Sequence, residues 1–110
     1  MATATFIRNG EVAEYKNSGT SAIANGKVIS LTTRIGVAAD DIAVGGTGMV
    51  NLCGVYRIPK AATLAISQGD AVYYNATNDN IDKTASGGIP AGFAIAAATA
   101  DDTTVLVKIG

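Results

Sequence analysis

Wherever the pattern runs long enough to count, apolar and polar positions alternate with a period of two, which is the spacing of a half-buried strand. In "GMVNLCGVYRI", residues 48–58, Val50, Leu52, Tyr56 and Ile58 fall on one face; Met49, Asn51, Cys53, Val55 and Arg57 fall on the other, and Pro59 ends the run. This is the longest predicted strand. In "TTVLVKIG", Val105, Val107 and Ile109 lie opposite Leu106 and Lys108, and in "GKVISLTT" Ile29 and Leu31 lie opposite Val28 and Ser30. Shorter strands are predicted in "TFIR" near residue 6, "EVAEY" near 13, "DAVYY" near 72 and "AGFAIA" near 93. The pairs Asn9-Gly10 and Asn25-Gly26 are hairpin signals, because both residue types tolerate positive φ.

Helical patterning is confined to one turn in "DDIAV" after Ala39 and about two turns in "KAATLAIS" after Pro59. "AIAAATA", residues 94–100, is too short to nucleate a helix alone and reads as a strand end followed by a turn. A weak internal repeat is also present. "NGKVISL" from Asn25 matches "QGDAVYY" from Gln68, "IGVAADD" from Ile35 matches "AGFAIAAATADD" from Ala91, and "GMVNLCG" from Gly48 matches "TVLVKIG" from Thr104. Each copy reads strand, turn, strand, acidic turn, strand, and "TATFIR" stands outside it. The expected fold is all-β in one domain, a small barrel or sandwich of short strands built from two similar units, with at most one or two helical turns.

Composition shapes this picture in two ways. The chain has 110 residues and is 48% hydrophobic, yet it has no Trp, only two Phe and a large share of Ala, so its core is thin. Part of its apolar surface is therefore expected to be covered by other copies of itself. No apolar stretch approaches the roughly 20 residues that cross a bilayer, and "MATATFIRNG" lacks the order of a secretory signal, so synthesis in the cytosol is expected. The net charge of −1, with no basic run, lacks the electrostatic footprint of a nucleic-acid binder. Charge is nonetheless uneven. Residues 1–60 carry Arg8, Lys16, Lys27, Arg34, Arg57 and Lys60 against four carboxylates, whereas residues 61–110 carry Lys83 and Lys108 against five.

The stretch "AVGGTGMVNLCG", residues 43–54, invites a phosphate-cradle reading and fails it. A P-loop needs Gly-Lys-Ser/Thr after Gly and four residues, and the only Gly-Lys pair, Gly26-Lys27, is followed by Val28. No GxGxxG precedes a helix either. With no histidine, Ser-His-Asp and Cys-His systems cannot be built, and the single Cys53 permits neither an internal disulfide nor a cysteine zinc site. The pairs Asp40/Asp41 and Asp101/Asp102 read as turn formers, with paired-carboxylate chemistry as the alternative. "NATNDNIDK", residues 75–83, spaces Asn78, Asn80 and Asp82 like a calcium loop, but it has Lys83 for the required glycine and Ile89 for the bidentate glutamate. It reads as a polar hairpin tip. Tyr15, Tyr56, Tyr73 and Tyr74 read as strand packing or subunit contacts, or else as a stacking surface for sugars or bases. No catalytic, cofactor or metal residues are assigned.

Two short signatures carry a resemblance across nearly the whole chain: Gly54-Val55-Tyr56, Ile58-Pro59-Lys60, and then Gly69-Asp70 with Val72-Tyr73. With "GVAADDIAVGGTGMVNLCG" and "GFAIAAATADDTTVLVKIG", they resemble small tailed-phage proteins often labelled RecA/RadA-type recombinases, whose members include capsid decoration, or cement, proteins. Tyr74 and Asn75 depart from that pattern, which has a tryptophan or other aromatic and then an aspartate. The resemblance implies a virion structural protein: an oligomer, expected to be a homotrimer, on the outside of a phage head, bound to the major capsid protein. It implies neither nucleic-acid nor membrane partners. The recombinase label lacks its P-loop and its basic surface, and a carbohydrate- or host-surface-binding module on the virion is the alternative. The expected capsid contact is a leading arm, residues 1–8, in which Ala2, Thr3, Thr5, Phe6 and Arg8 add a strand to a sheet edge of the shell.

Overall fold

The computed structural model describes residues 2–110. Among them there is no helix, and nine short strands form two antiparallel sheets arranged like a sandwich rather than a closed barrel. β1 (Val12–Lys16), β2 (Val28–Ser30), β3 (Ile35–Ala38) and β4 (Thr47–Asn51) form the first sheet in the order β1-β4-β3-β2. β5 (Gly54–Pro59), β6 (Ala71–Asn75), β7 (Asn80–Asp82), β8 (Ile89–Ala94) and β9 (Thr104–Ile109) form the second in the order β5-β9-β8-β6-β7.

The two sheets share one plan. Val28 pairs with Val37 in the first, as Ala71 pairs with Phe93 in the second; Ala38 pairs with Val50 as Ala94 pairs with Val107. The loops repeat it as well. Ile23 bridges to Ile42 and Ile66 to Ala98, while the amides of Gly26 and Gly69, both at positive φ, donate to the carbonyls of Ala38 and Ala94. The correspondence extends beyond the repeat read from sequence, because β1 pairs with β4 as β5 pairs with β9. β7 alone has no counterpart in the first sheet.

Most of the core belongs to the second sheet. Ile58, Ile66, Val72, Tyr74, Ile81, Val105, Val107 and Ile109 are buried in a cluster to which the first sheet contributes Ile35 and Val37. β3 lies against β8 there. The other face of the first sheet holds a smaller cluster of Ile29, Ala38 and Val50, with Ala13, Tyr15, Ile23, Leu31 and Leu52 only half-buried around it.

Several expectations are corrected. The strand predicted over 48–58 is two strands in different sheets: Leu52 and Cys53 leave the ladder and Gly54, at φ +118°, turns the corner. Val50 and Ile58, placed on one face by the alternation, are both buried but in different clusters, Val50 in the smaller and Ile58 in the main one. "DDIAV" forms a bridge at Ile42 rather than a helical turn, and "KAATLAIS" forms turns and a bridge at Ile66. "TFIR" is not a strand, and Asn9-Gly10 is not a hairpin turn; residues 2–10 carry no strand.

Candidate functional site

The glycine cluster is structural. Gly45 takes φ +78°, its amide donates to the Asn17 carbonyl, and the Asn17 amide donates to the Gly46 carbonyl. The Asn17 side chain, itself buried, donates to the carbonyls of Ser21 and Ile42 and so ties the end of β1 to both loops. Gly48 is glycine for a different reason: a Cβ there would stand 2.5 Å from Ile42 Cγ1, where real Cβ atoms do not go. The stretch that resembles a phosphate cradle is a turn followed by a close side-chain approach.

The other candidate chemistry does not converge. Asp40 Oδ2 accepts from the Met49 amide, Asp41 Oδ1 from the Asn25 amide and Asp102 Oδ2 from the Thr99 amide, so these carboxylates hold turns. A cavity of about 390 Å³ lies against the β6–β7 tip, lined by Asn75, Thr77, Asp82 and Ser86 among others. Its carboxylate is already engaged, with Asp82 Oδ1 accepting from the Thr84 amide and Oδ2 from Asn75 Nδ2. No cluster of His, Cys, Asp and Glu able to hold a metal occurs among the described residues. The four tyrosines do not share a surface: Tyr74 is buried in the main core, Tyr56 is half-buried against that core from β5, Tyr15 rims the smaller cluster, and Tyr73 precedes Tyr74 on the opposite face of β6.

One electrostatic network links the two sheets. Lys27 beside β2 reaches across to Asp79 in the β6–β7 turn at 2.8 Å, and the Tyr74 hydroxyl donates to the same carboxylate. Hydrogen bonds from Lys27 and Tyr74 hold the Asp79 carboxyl below its ordinary range. Burial, reinforced by the Asp79 charge, pushes the Tyr74 hydroxyl up to about 12.

What remains is exposed apolar surface. Phe6 and Ile7 are 80% and 81% exposed, and Ala2, Thr3, Thr5 and Arg8 beside them are exposed as well. No backbone hydrogen bond involves residues 2–10; the segment is tethered only where the Leu52 amide donates to the Glu11 carbonyl. The structure thus brings the five expected contact residues together on one arm outside the domain. It adds Ile7, which the strand reading of "TFIR" did not single out. A second patch crosses the outer face of the second sheet, where Val55 and Phe93 both pair with Lys108 on β9 and both stay exposed. Alternation had assigned Val55 to the polar face, and only cross-strand register brings Phe93 near it.

A family comparison bears on what such exposed surfaces are for. The model for the phage cement proteins matches residues 7–109. The chain belongs to the phage cement protein family. No curated protein and no solved structure matches it significantly. A cement protein is structural, a capsid-stabilising decoration protein, and its working parts are contact surfaces. The exposed arm and the Val55–Phe93 face are the candidates, and the family match begins inside the arm, at Ile7.

Proposed function

We propose that the chain, made in the host cytoplasm, assembles as a homotrimer on the outer surface of the phage head and staples neighbouring major capsid protein subunits. The proposed contact is the arm, with Ala2, Thr3, Thr5, Phe6 and Arg8 adding a strand to an exposed sheet edge of the shell and Phe6 as its anchor. The observation that carries this reading is an exposed segment bearing Phe6 and Ile7 that forms no strand with the rest of the domain. Phe6 is four-fifths exposed on a stretch that makes no backbone hydrogen bond over residues 2–10. Such exposure is costly in water and is relieved by burial, at about 25 cal/mol per Å² of apolar surface covered. Several linked contacts then multiply modest affinities into durable attachment, and anything that binds only the assembled shell stabilises it.

The test is cosedimentation with expanded, DNA-filled heads. The intact chain should pellet with heads, and a chain lacking residues 2–8 should stay in the supernatant while keeping its β circular dichroism. Equal pelleting of the two would remove the arm as the contact, and failure of the intact chain to pellet would remove the capsid reading altogether.

A further inference from the structure

The internal repeat exposes an acceptor site. In the second sheet, β7 lies on the outer edge of β6 in the register Tyr73↔Asp82, Tyr74↔Ile81, Asn75↔Asn80. Ile81 also bridges to Lys60 at the end of β5, and its carbonyl accepts from the Ala61 amide. One aliphatic side chain, fully buried, therefore spans the gap between the edge of β6 and the end of β5. In the first sheet the outer edge of β2 carries no strand, and by register Leu31 stands in the place of Tyr74 and Asn17 in the place of Lys60, so the shared plan puts the corresponding gap between the edge of β2 and the end of β1. Its chain turns directly from Leu31 to Ile35, so no strand fills that gap. Tyr15, Ile23, Leu31 and Leu52 are accordingly half-buried where Ile58, Ile66, Tyr74 and Ile109 are buried.

The same chain carries a segment that suits the gap. β7 presents Asn80-Ile81-Asp82, one fully buried aliphatic side chain between two half-buried polar ones; the arm presents Phe6-Ile7-Arg8. In an extended arm Thr3, Thr5 and Ile7 share one face, and Ala2, Ala4, Phe6 and Arg8 share the other. The arm leaves from β1, at the opposite edge of its own sheet from β2, and makes no bond to β2.

We propose that Ile7 of one copy fills the gap of the next, its arm pairing antiparallel with the β2 edge so that Ile7 lies opposite Leu31 as Ile81 lies opposite Tyr74. Arm and acceptor are different surfaces, so the contact is head-to-tail and closes a ring of copies when the rotation allows. This deepens the trimer reading and is compatible with the shell contact. Once added to β2, the arm keeps Phe6 and Arg8 on its outward face and its second edge open for a strand of the shell.

Sedimentation equilibrium without heads tests it, using the intact chain, Ile7→Asp and Phe6→Asp. Both residues are exposed, so neither change disturbs the folded domain. Ile7→Asp should raise the concentration needed for assembly on the order of 100-fold, whereas Phe6→Asp should leave assembly intact and lower pelleting with heads. A second measurement places Cys at Ile7 and at Leu31 in a Cys53→Ser chain, and oxidation should link copies covalently into closed oligomers. The proposal is overturned if Ile7→Asp assembles like the intact chain, if the cysteines link only within one copy or not at all, or if the intact chain is monomeric at every concentration. Assembly untouched by Ile7→Asp together with head binding lost in Phe6→Asp would sink this inference and leave the capsid contact standing.

Discussion

Ile23 meets Ile42 beside Gly26 in the first sheet, and Ile66 meets Ala98 beside Gly69 in the second, yet the two sheets bury their apolar faces very differently. The second gathers nine strand residues, with Ile66 and Ala98 from its loops, into the main buried cluster; the smaller cluster of the first has three. Four strands and their pairing are shared, so those four do not explain the difference. The residues after β6 do: they form a turn and β7, which lays Ile81 across the open side, whereas the residues after β2 return at once to β3. A single inserted strand completes one sheet and leaves its twin with an edge and a half-covered face. An edge of that kind is normally blocked, paired or used.

The sharpest way to break the comparison is at a backbone position common to both sheets. Gly92 pairs with Val72 as Gly36 pairs with Ile29. Gly92 has φ +133°, and a Cβ there would stand 2.0 Å from the Lys108 carbonyl oxygen, whereas at Gly36 it would stand 3.2 Å from the Asn51 oxygen. Gly92→Ala should cost about 4 kcal/mol, a large share of the roughly 5–15 kcal/mol that holds an ordinary domain folded, and Gly36→Ala about 1 kcal/mol. Urea denaturation midpoints decide it, and equal costs would mean that the two sheets do not differ in strain here.

The next largest effect tests the closing strand itself. Ile81 is fully buried, so Ile81→Ala should cost about 3 kcal/mol. Leu31→Ala, on the half-covered face, should cost about 1 kcal/mol when measured on chain dilute enough to keep copies apart. A Leu31 cost as large as that of Ile81 would show that the first sheet is already sealed within one chain.

Sequence showed the shared plan better than the difference. The repeat was legible because Asn25-Gly26 and Gln68-Gly69 open equivalent strands and acidic turns follow β3 and β8. The match of β1 to β5 was hidden, since "VAEYK" and "VYRIP" share only a leading valine, and burial asks of their inward positions only that they be apolar. β7 was invisible: one isoleucine among Asn and Asp has no periodicity, and only tertiary contact makes it core. The arm was misread for the converse reason. Thr5, Phe6 and Ile7 have strand propensity, but propensity alone supplies no partner strand, and residues 2–10 pair with none in the folded domain. That Ala2, Thr3, Thr5, Phe6 and Arg8 follow one another on a leading arm is plain in the sequence, and the structure adds that the arm is exposed; their contact with the shell is the proposal, and Ile7 as a proposed anchor needed the comparison with Ile81.

A weaker probe is the tyrosine that Leu31 replaces in the first sheet. Tyr74 is held protonated up to about 12, above its unfolded value near 10. A raised folded value stabilises fully below pH 10 and is lost as pH rises from 10 through 12. Between those limits the intact chain should lose up to about 2 kcal/mol that Tyr74→Phe does not lose. Parallel alkaline unfolding curves for the two chains would show that this hydroxyl does not couple to folding.

The smallest effect lies at the tie between the sheets. Asp79 sits at φ +55°, a conformation Asn also tolerates, so Asp79→Asn removes the charge facing Lys27 without straining the β6–β7 turn, and it can keep an oxygen for the Tyr74 hydroxyl. The Asp79 carboxyl lies below its ordinary value because Lys27 and Tyr74 bond to it, so its contribution is present above the unfolded value near 4 and is lost as pH falls through the lower folded one. Asp70 behaves in the same direction, chiefly through the Ser67 amide, and stays intact in the variant. Acidifying from pH 6 to 3 should therefore cost the intact chain more than Asp79→Asn, by about 0.5 kcal/mol for so exposed a pair, and 1 M salt should shrink the difference. A larger loss that salt leaves untouched would mean that Lys27 and Asp79 hold the two sheets together, and that the first sheet depends on its closed twin for more than the packing of Ile35 and Val37.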